Sequence, residues 1–151
     1  MLKRSLRRGV STAKPEKTSE IFFNYQIFDL KTGQEIYSTG THEFEPQDEK
    51  YQDLEYLKSS GICHTCYLDE FKISRLLKNC LKYTKKLEVA EVRVYNCKKY
   101  IKYGADYEQI IKYTTDLENL QLKYIIRLYN FTEVRAIAYK FSINRARIHS
   151  Q

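Results

Sequence analysis

Alternating apolar and polar positions predict four β-strands in this chain. The first stretch, 21–30, places Ile21, Phe23, Tyr25 and Ile27 on one face with a period of two residues. The same alternation returns at 34–38, 88–95 and 120–128. The tripeptide 31–33, Lys-Thr-Gly, lies between the first two stretches and supplies a turn, so these two stretches predict a hairpin.

A helical period predicts one clear helix over 68–86. Its apolar positions have i, i+3, i+4, i+7 and i+8 spacing: Ile73, Leu76, Leu77, Cys80 and Leu81. Acidic residues begin this stretch and lysines end it, as the helix dipole favours. Residues 41–57 predict a surface loop or a weak helix, and 98–119 a long loop in which Asp106 and Gln109 form a capping box for a short helix. The order hairpin, loop, helix, strand, long loop, strand predicts an α+β domain.

Charge divides the chain into three parts. The net charge is +7. Residues 1–20 carry six basic and two acidic side chains, and residues 132–151 carry four basic and one acidic side chain. Residues 21–131 carry sixteen basic and sixteen acidic side chains. We therefore expect a neutral domain at 21–131 between a basic N-terminal arm and a basic C-terminal segment. Thr132 can cap a helix in that segment, with an apolar stripe of Val134, Ile137, Ala138, Phe141 and Ile148.

Basic arms suit acidic partners, namely a protein surface, RNA or anionic lipid. A solubilising tail explains the same charge. The basic residues expected at a partner surface are Arg4, Arg7, Arg8, Arg135, Lys140, Arg145 and Arg147. No apolar run approaches the roughly 20 residues of a membrane span, so no span is expected.

The first fifteen residues contain five basic residues, two Ser, one Thr and no acid. This composition is typical of a mitochondrial targeting segment, and on a helix Leu2, Leu6 and Val10 would share a face. We expect mitochondrial delivery, with a generic basic tail in a cytoplasmic protein as the alternative.

The order and sequence of the predicted strands resemble the FKBP-type peptidyl-prolyl isomerases. Residues 23–37 resemble the family's first hairpin, and residues 120–128 resemble its closing strand. Residues 85–92 resemble its M-K-x-G-E-x-A-x-V stretch, with Leu87 in place of glycine, and residues 103–104 resemble its Y-x-Y-G loop. The resemblance covers residues 21–131 and implies an antiparallel sheet curled around one helix.

In that family a groove of aromatic side chains holds the substrate proline. The resemblance places these residues at the groove: Tyr25, Ile36, Tyr37, Phe44, Leu77, Tyr103 and Tyr124. Ile36 and Tyr37 replace the family's Phe-Asp pair, and the chain has no tryptophan for the groove floor. An insertion of about twenty residues centred on 51–66 precedes the helix. We therefore expect no catalytic residues, and interpret the retained groove residues as core.

Cys63 and Cys66 have the C-x-x-C spacing of half a structural zinc site. A complete site needs a second pair, and Cys80 and Cys97 are isolated in sequence. We therefore expect neither a metal nor a cofactor. If the chain does hold a metal, Cys63 and Cys66 are the candidate ligands.

Three function classes remain open. The favoured one is a non-catalytic FKBP-like interaction module, an accessory subunit of a larger assembly that its basic arms join. The second is an active peptidyl-prolyl isomerase or folding helper. The third is an RNA-binding protein, because residues 72–102 carry ten basic and two acidic residues with Tyr83, Tyr95 and Tyr100 interleaved.

Overall fold

The computed structural model describes residues 2–45 and 47–133. Its strands are β1 (Leu2–Arg7), β2 (Glu20–Asp29), β3 (Glu35–Ser38), β4 (His64–Tyr67), β5 (Glu88–Val94) and β6 (Leu122–Phe131). Its helices are α1 (Leu54–Ser60), α2 (Arg75–Lys82), α3 (Cys97–Tyr100) and α4 (Ala105–Tyr113), with a 3₁₀ turn at Glu49–Gln52. No helix within these ranges is long and apolar enough to cross a bilayer.

The strands form one open antiparallel sheet in the order β1-β5-β6-β2-β3. β2 and β6 form the central pair, which runs from Ile21 opposite Phe131 to Asp29 opposite Leu122 with a shift of register between Phe22 and Phe23. β4 pairs with the first half of β2, on the same edge that β3 occupies further along. The predicted hairpin and both later strands are confirmed.

The main core lies between the sheet and α2. This helix begins after Ser74, whose hydroxyl accepts a hydrogen bond from the Leu77 N–H at 3.2 Å. It buries the predicted stripe of Leu76, Leu77, Cys80 and Leu81 against the sheet. The helix is shorter than predicted, because the acidic pair at 69–70 lies in a turn before Ser74 rather than in the first helical turn.

A second core covers the opposite face of the sheet. Its buried members are Phe22, Phe44, Tyr51, Leu57, Leu87, Val89 and Tyr129. Phe22 points to this face because its neighbours Ile21 and Phe23 on β2 belong to the main core. The predicted insertion supplies Tyr51 and Leu57, so it forms α1, β4 and a second layer rather than a plain surface loop.

Residues 98–119, expected to be mostly loop, contain α4 and part of α3. The capping-box prediction for Asp106 and Gln109 is wrong. The N-cap of α4 is Gly104, without a side-chain cap, and Asp106 is buried inside the first turn.

Residues 2–7, part of the expected N-terminal arm, pair with β5 as the edge strand β1. Leu2, Leu6 and Val10 are exposed and share no helical face. At the other end, Thr132 donates its N–H to the Glu20 carbonyl of β2 at 3.0 Å, and its hydroxyl accepts a hydrogen bond from the Glu20 N–H at 2.9 Å. The helix expected over 134–151 lies outside the described residues.

Candidate functional site

Five of the seven predicted groove residues lie together in the main core. Tyr25 on β2, Leu77 on α2 and Tyr124 on β6 are at most 1% exposed. The rings of Tyr25 and Tyr124 are stacked with centroids 6.3 Å apart, and the Tyr37 ring on β3 is 5.9 Å from that of Tyr25. Ile36 and Tyr37 are partly buried against the same cluster. Five of the seven residues that the FKBP resemblance placed at the groove thus share one buried cluster.

The other two predicted groove residues lie elsewhere. Phe44 belongs to the second core, where its ring contacts that of Tyr129 with centroids 5.3 Å apart. Tyr103 lies in the loop before α4, and its ring meets Phe71 edge to face at 5.3 Å. Placing Phe44 and Tyr103 beside Tyr25 was wrong, because the sheet separates Phe44 from that ring and Tyr103 packs on the Phe71 ring instead.

A buried carboxylate closes this cluster. Asp106 of α4 accepts hydrogen bonds from the Ser74 N–H at 2.7 Å, the Tyr124 hydroxyl at 2.8 Å and the Ser74 hydroxyl. Ser74 caps α2 and Tyr124 lies on β6, so one side chain links two helices and the sheet. α4 itself lies against β3 and buries Ile110 in the main core.

Burial dominates the electrostatics of the cluster. Desolvation raises the pKa of Asp106, and the hydrogen bonds from Ser74 and Tyr124 oppose it. Burial, reinforced by the neighbouring Asp106 carboxylate, raises the pKa of Tyr124 and of Tyr25 well above the ordinary phenol value. Both phenols therefore stay protonated at physiological pH and serve as packing and hydrogen-bonding groups.

Gly104 positions α4 for this contact. Its φ is +100°, and a Cβ there would lie 2.5 Å from the Ile73 carbonyl carbon and 2.6 Å from the Ser74 nitrogen. The next residue, Ala105, donates its N–H to the Lys72 carbonyl at 2.7 Å. Glycine thus allows the start of α4 to approach the start of α2 closely enough for Asp106 to reach Ser74.

The C-x-x-C cysteines lie on different sides of the sheet. Cys66 belongs to the main core, whereas Cys63 packs against the second core. Burial raises the pKa of Cys63 to about 11 and of Cys66 to about 12, so both thiols are neutral at physiological pH. Within residues 2–45 and 47–133 no three His, Cys, Asp or Glu side chains form a metal-binding group.

Two of the predicted partner-binding arginines form contacts within the chain. Arg4 pairs with Glu91 at 3.0 Å, and Arg7 pairs with Glu45 at 2.9 Å and donates to the Phe44 carbonyl. Arg8 is exposed. The remaining four, Arg135, Lys140, Arg145 and Arg147, lie outside the described residues.

Sequence reasoning missed Ser74 and Asp106 as partners. They are 32 residues apart, and each has an ordinary local explanation as a capping residue. The available signal was an acidic residue two positions after Gly104, in a stretch otherwise expected to be a solvated loop.

No family model matches the sequence, and no curated protein matches it. Solved structures do match. The structure of the three FKBP domains of wheat FKBP73 has a TM-score of 0.54 at 15% identity, covering 85% of this chain and 43% of that one. The N-terminal domain of FKBP42 from Arabidopsis thaliana has a TM-score of 0.53 at 16% identity, covering 87% of this chain and 85% of that one.

These matches show an FKBP-like fold: an antiparallel sheet with a helix packed on it. The resemblance stated from the sequence is confirmed at the level of the fold, and the low identity fits a divergent member of that fold class. The chain spans less than half the length of the wheat chain it matches.

Proposed function

We propose that this protein is a non-catalytic FKBP-like interaction module, an accessory subunit of a larger assembly. The observation that carries the proposal is the closed cluster around Tyr25. Tyr25, Leu77 and Tyr124 have almost no contact with solvent, and the Asp106–Tyr124 hydrogen bond attaches α4 beside them.

Catalysis of prolyl isomerisation requires an accessible site. The rotation barrier is roughly 20 kcal/mol, and an enzyme lowers it by binding the twisted amide better than the planar one. A substrate proline would have to reach the ring of Tyr25, which is 1% exposed. Ile36 and Tyr37 offer no carboxylate at the positions where the family resemblance implies Phe-Asp. These features support loss of activity.

A protease-coupled assay with a proline peptide tests the proposal, using an active FKBP as the positive control. We expect no rate above the uncatalysed reaction. In parallel, titrating the peptide while recording tyrosine ring NMR signals should leave Tyr25, Tyr37 and Tyr124 unshifted. A turnover rate near that of the active control would establish the alternative, a working isomerase or folding helper.

We also propose that basic residues outside the sheet attach the protein to its assembly. Arg4 and Arg7 pair with Glu91 and Glu45 in the folded domain, which leaves Arg8 and the basic residues of 134–151 as the better candidates. Changing Arg135, Lys140, Arg145 and Arg147 together to Gln should reduce co-purification of the native assembly. The matched control changes four exposed lysines of the domain to Gln: Lys31, Lys58, Lys102 and Lys112. Incorporation at the wild-type level would contradict the proposal.

Delivery to mitochondria is a further proposal, supported by the composition of residues 1–15. Fusing residues 1–20 to a fluorescent reporter tests it, since a targeting segment should bring the reporter into mitochondria. A diffuse cytosolic signal would count against it.

A further inference from the structure

A basic depression lies along the exposed side of α2. Its volume is about 290 Å³, and we call it the α2 depression. Four cationic side chains line it, with one acidic residue and one aromatic ring: Lys17, Arg75, Lys78, Lys82, Asp69 and Tyr103. Arg75, Lys78 and Lys82 recur at helical spacing on the face of α2 opposite its buried stripe.

The cations of the α2 depression have no carboxylate partner among the described residues. None of the ion pairs formed between residues 2–45 and 47–133 includes Lys17, Arg75, Lys78 or Lys82. The neighbouring Glu70 is already paired with Lys72 at 3.2 Å. The depression therefore presents net positive charge to an incoming ligand.

An exposed aromatic pair borders the same surface. The Phe71 side chain is 76% exposed, more than any other large apolar side chain in the described ranges. Its ring meets that of Tyr103 at 5.3 Å, and the Lys78 ammonium lies 4.6 Å from the Phe71 ring centroid and 5.3 Å from that of Tyr103. Lys78 thus joins the aromatic pair to the cationic row.

We propose that the α2 depression binds single-stranded nucleic acid. Phosphates would contact Arg75, Lys78 and Lys82, and a base would stack on the exposed face of Phe71. An acidic peptide would meet the charge, but its carboxylate side chains carry no ring, whereas every nucleotide of a single strand brings a flat base together with its phosphate. The inference names a partner for the interaction role and rests on that role, yet it uses none of the residues around Tyr25.

The aromatic residues beside the α2 depression differ from those expected from the sequence. Tyr83, Tyr95 and Tyr100 were the tyrosines interleaved with the basic residues of 72–102, and none of them lines the depression. Phe71 and Tyr103 take that place because the loop before α4 folds back onto the start of α2.

Fluorescence anisotropy of the 151-residue chain with labelled oligouridine and oligothymidine tests the proposal, over a series of salt concentrations. We expect saturable binding of at least one strand. Affinity should fall as salt rises, with a slope of about −0.7 per phosphate contacted. A preference for the ribose strand would identify RNA as the partner.

Two variants separate charge from stacking. The triple change Arg75→Gln, Lys78→Gln and Lys82→Gln should weaken binding and reduce the salt slope by about 2. Phe71→Ala should weaken binding about tenfold and leave the slope unchanged, because stacking releases no counterions. The controls are Lys31→Gln with Lys58→Gln and Lys112→Gln for charge, and Tyr95→Ala for an exposed ring outside the depression.

Several results would overturn the proposal. The first is the absence of saturable binding at low salt, and the second is an equal loss of affinity in the triple variant and in its charge control. The third is a Phe71→Ala variant that binds with wild-type affinity and from which polyglutamate displaces the oligonucleotide. The last would assign the surface to an acidic protein. Each of these outcomes leaves the isomerase assay unaffected, so failure here is distinguishable from failure of the interaction role.

Discussion

Asp106 is an uncommon residue for the interior of a small domain, because a buried carboxylate is costly unless it is well hydrogen-bonded. Its three hydrogen bonds come from Ser74 and Tyr124. They connect α4 with the start of α2 and with β6. We infer that Asp106 specifies where α4 lies, at some cost in stability at neutral pH.

The raised pKa of Asp106 predicts a pH-dependent stability. The folded state holds the Asp106 proton more tightly than the unfolded state, whose carboxyl pKa is near 3.8. The stability that this difference contributes is complete below that value and is lost as pH rises through the folded pKa. Relative to Asp106→Asn, which cannot titrate, the wild type should therefore become less stable as pH rises from about 4.

Urea unfolding of both proteins at a series of pH values measures this effect. The quantity to compare is the difference in the free energy of unfolding between the two proteins, because the contributions of the other titrating groups cancel in that difference. Parallel profiles for wild type and Asp106→Asn would show that the pKa of Asp106 is not raised in the folded protein.

Leu87 occupies a backbone conformation that favours glycine. Its φ is +60°, at the position where the FKBP resemblance has glycine, and its side chain is 3% exposed in the second core. Leu87→Gly should relieve about 1–2 kcal/mol of left-handed strain but lose about 2–5 kcal/mol from the emptied core site. We expect a net loss of about 2 kcal/mol in the free energy of unfolding, measured in urea. A more stable glycine variant would mean that strain outweighs packing here.

Among the strands, β1 is held by side chains as well as by its backbone. Lys3 pairs with Glu88 at 3.1 Å, and the Glu88 side chain is only 5% exposed. Arg4 pairs in the same way with Glu91, which is 7% exposed. The arm therefore supplies the cation that pairs with Glu88 and a second cation for Glu91, which also pairs with Arg93 at 3.7 Å.

Replacing Lys3 with Met should destabilise the domain by about 1–2 kcal/mol, because Glu88 loses a charged hydrogen-bond donor. Glu88 still accepts a hydrogen bond from the Lys85 N–H at 2.8 Å, and this bond limits the loss of stability. Arg8→Met is the matched control, as this exposed arginine lies just beyond β1. Urea unfolding compares the Lys3→Met and Arg8→Met variants. Equal unfolding midpoints for the two would show that the Lys3–Glu88 pair contributes nothing to stability.

β2, β3, β5, β6 and α2 were predictable because each has a local period: two residues in these strands and helical spacing in α2. β1, β4 and α4 were not predicted from such a period. β1 alternates no apolar residues and depends on pairing with β5, and α4 is directed by Gly104 and by Asp106, whose partners are distant in sequence. Phe44 was misplaced because an alignment supplies the residue type at a position but not the face of the sheet it reaches.

The sheet carries a packed layer on both faces, which makes the 49–67 region a structural part of the domain. Besides the buried Tyr51 and Leu57, polar contacts hold it: Asn24 donates to the Ile62 carbonyl at 2.8 Å, and Asn130 to the Tyr51 carbonyl at 3.0 Å. We therefore expect both layers to unfold in one transition.

Leu57→Ala tests this expectation. Leu57 is 2% exposed, and truncating such a leucine costs about 2–5 kcal/mol when the site belongs to the cooperative core. Ile111→Ala, at a site 37% exposed on α4, is the control and should cost much less. Tryptophan is absent from the chain, so tyrosine fluorescence and circular dichroism can follow unfolding. Non-coincident transitions by the two probes would indicate that the second layer melts separately.

The edge position of β1 has a consequence for self-association. β5 is almost entirely buried, and without β1 its backbone N–H and C=O groups would face solvent beside apolar side chains. Such an edge is a template for strands of other molecules and a route to fibres. β1 instead covers this edge with a strand of six residues whose register shifts between Ser5 and Arg7, and short or irregular edges pair poorly with other chains. We infer that β1 protects the apolar strand β5 from polymerisation, a role that requires no partner.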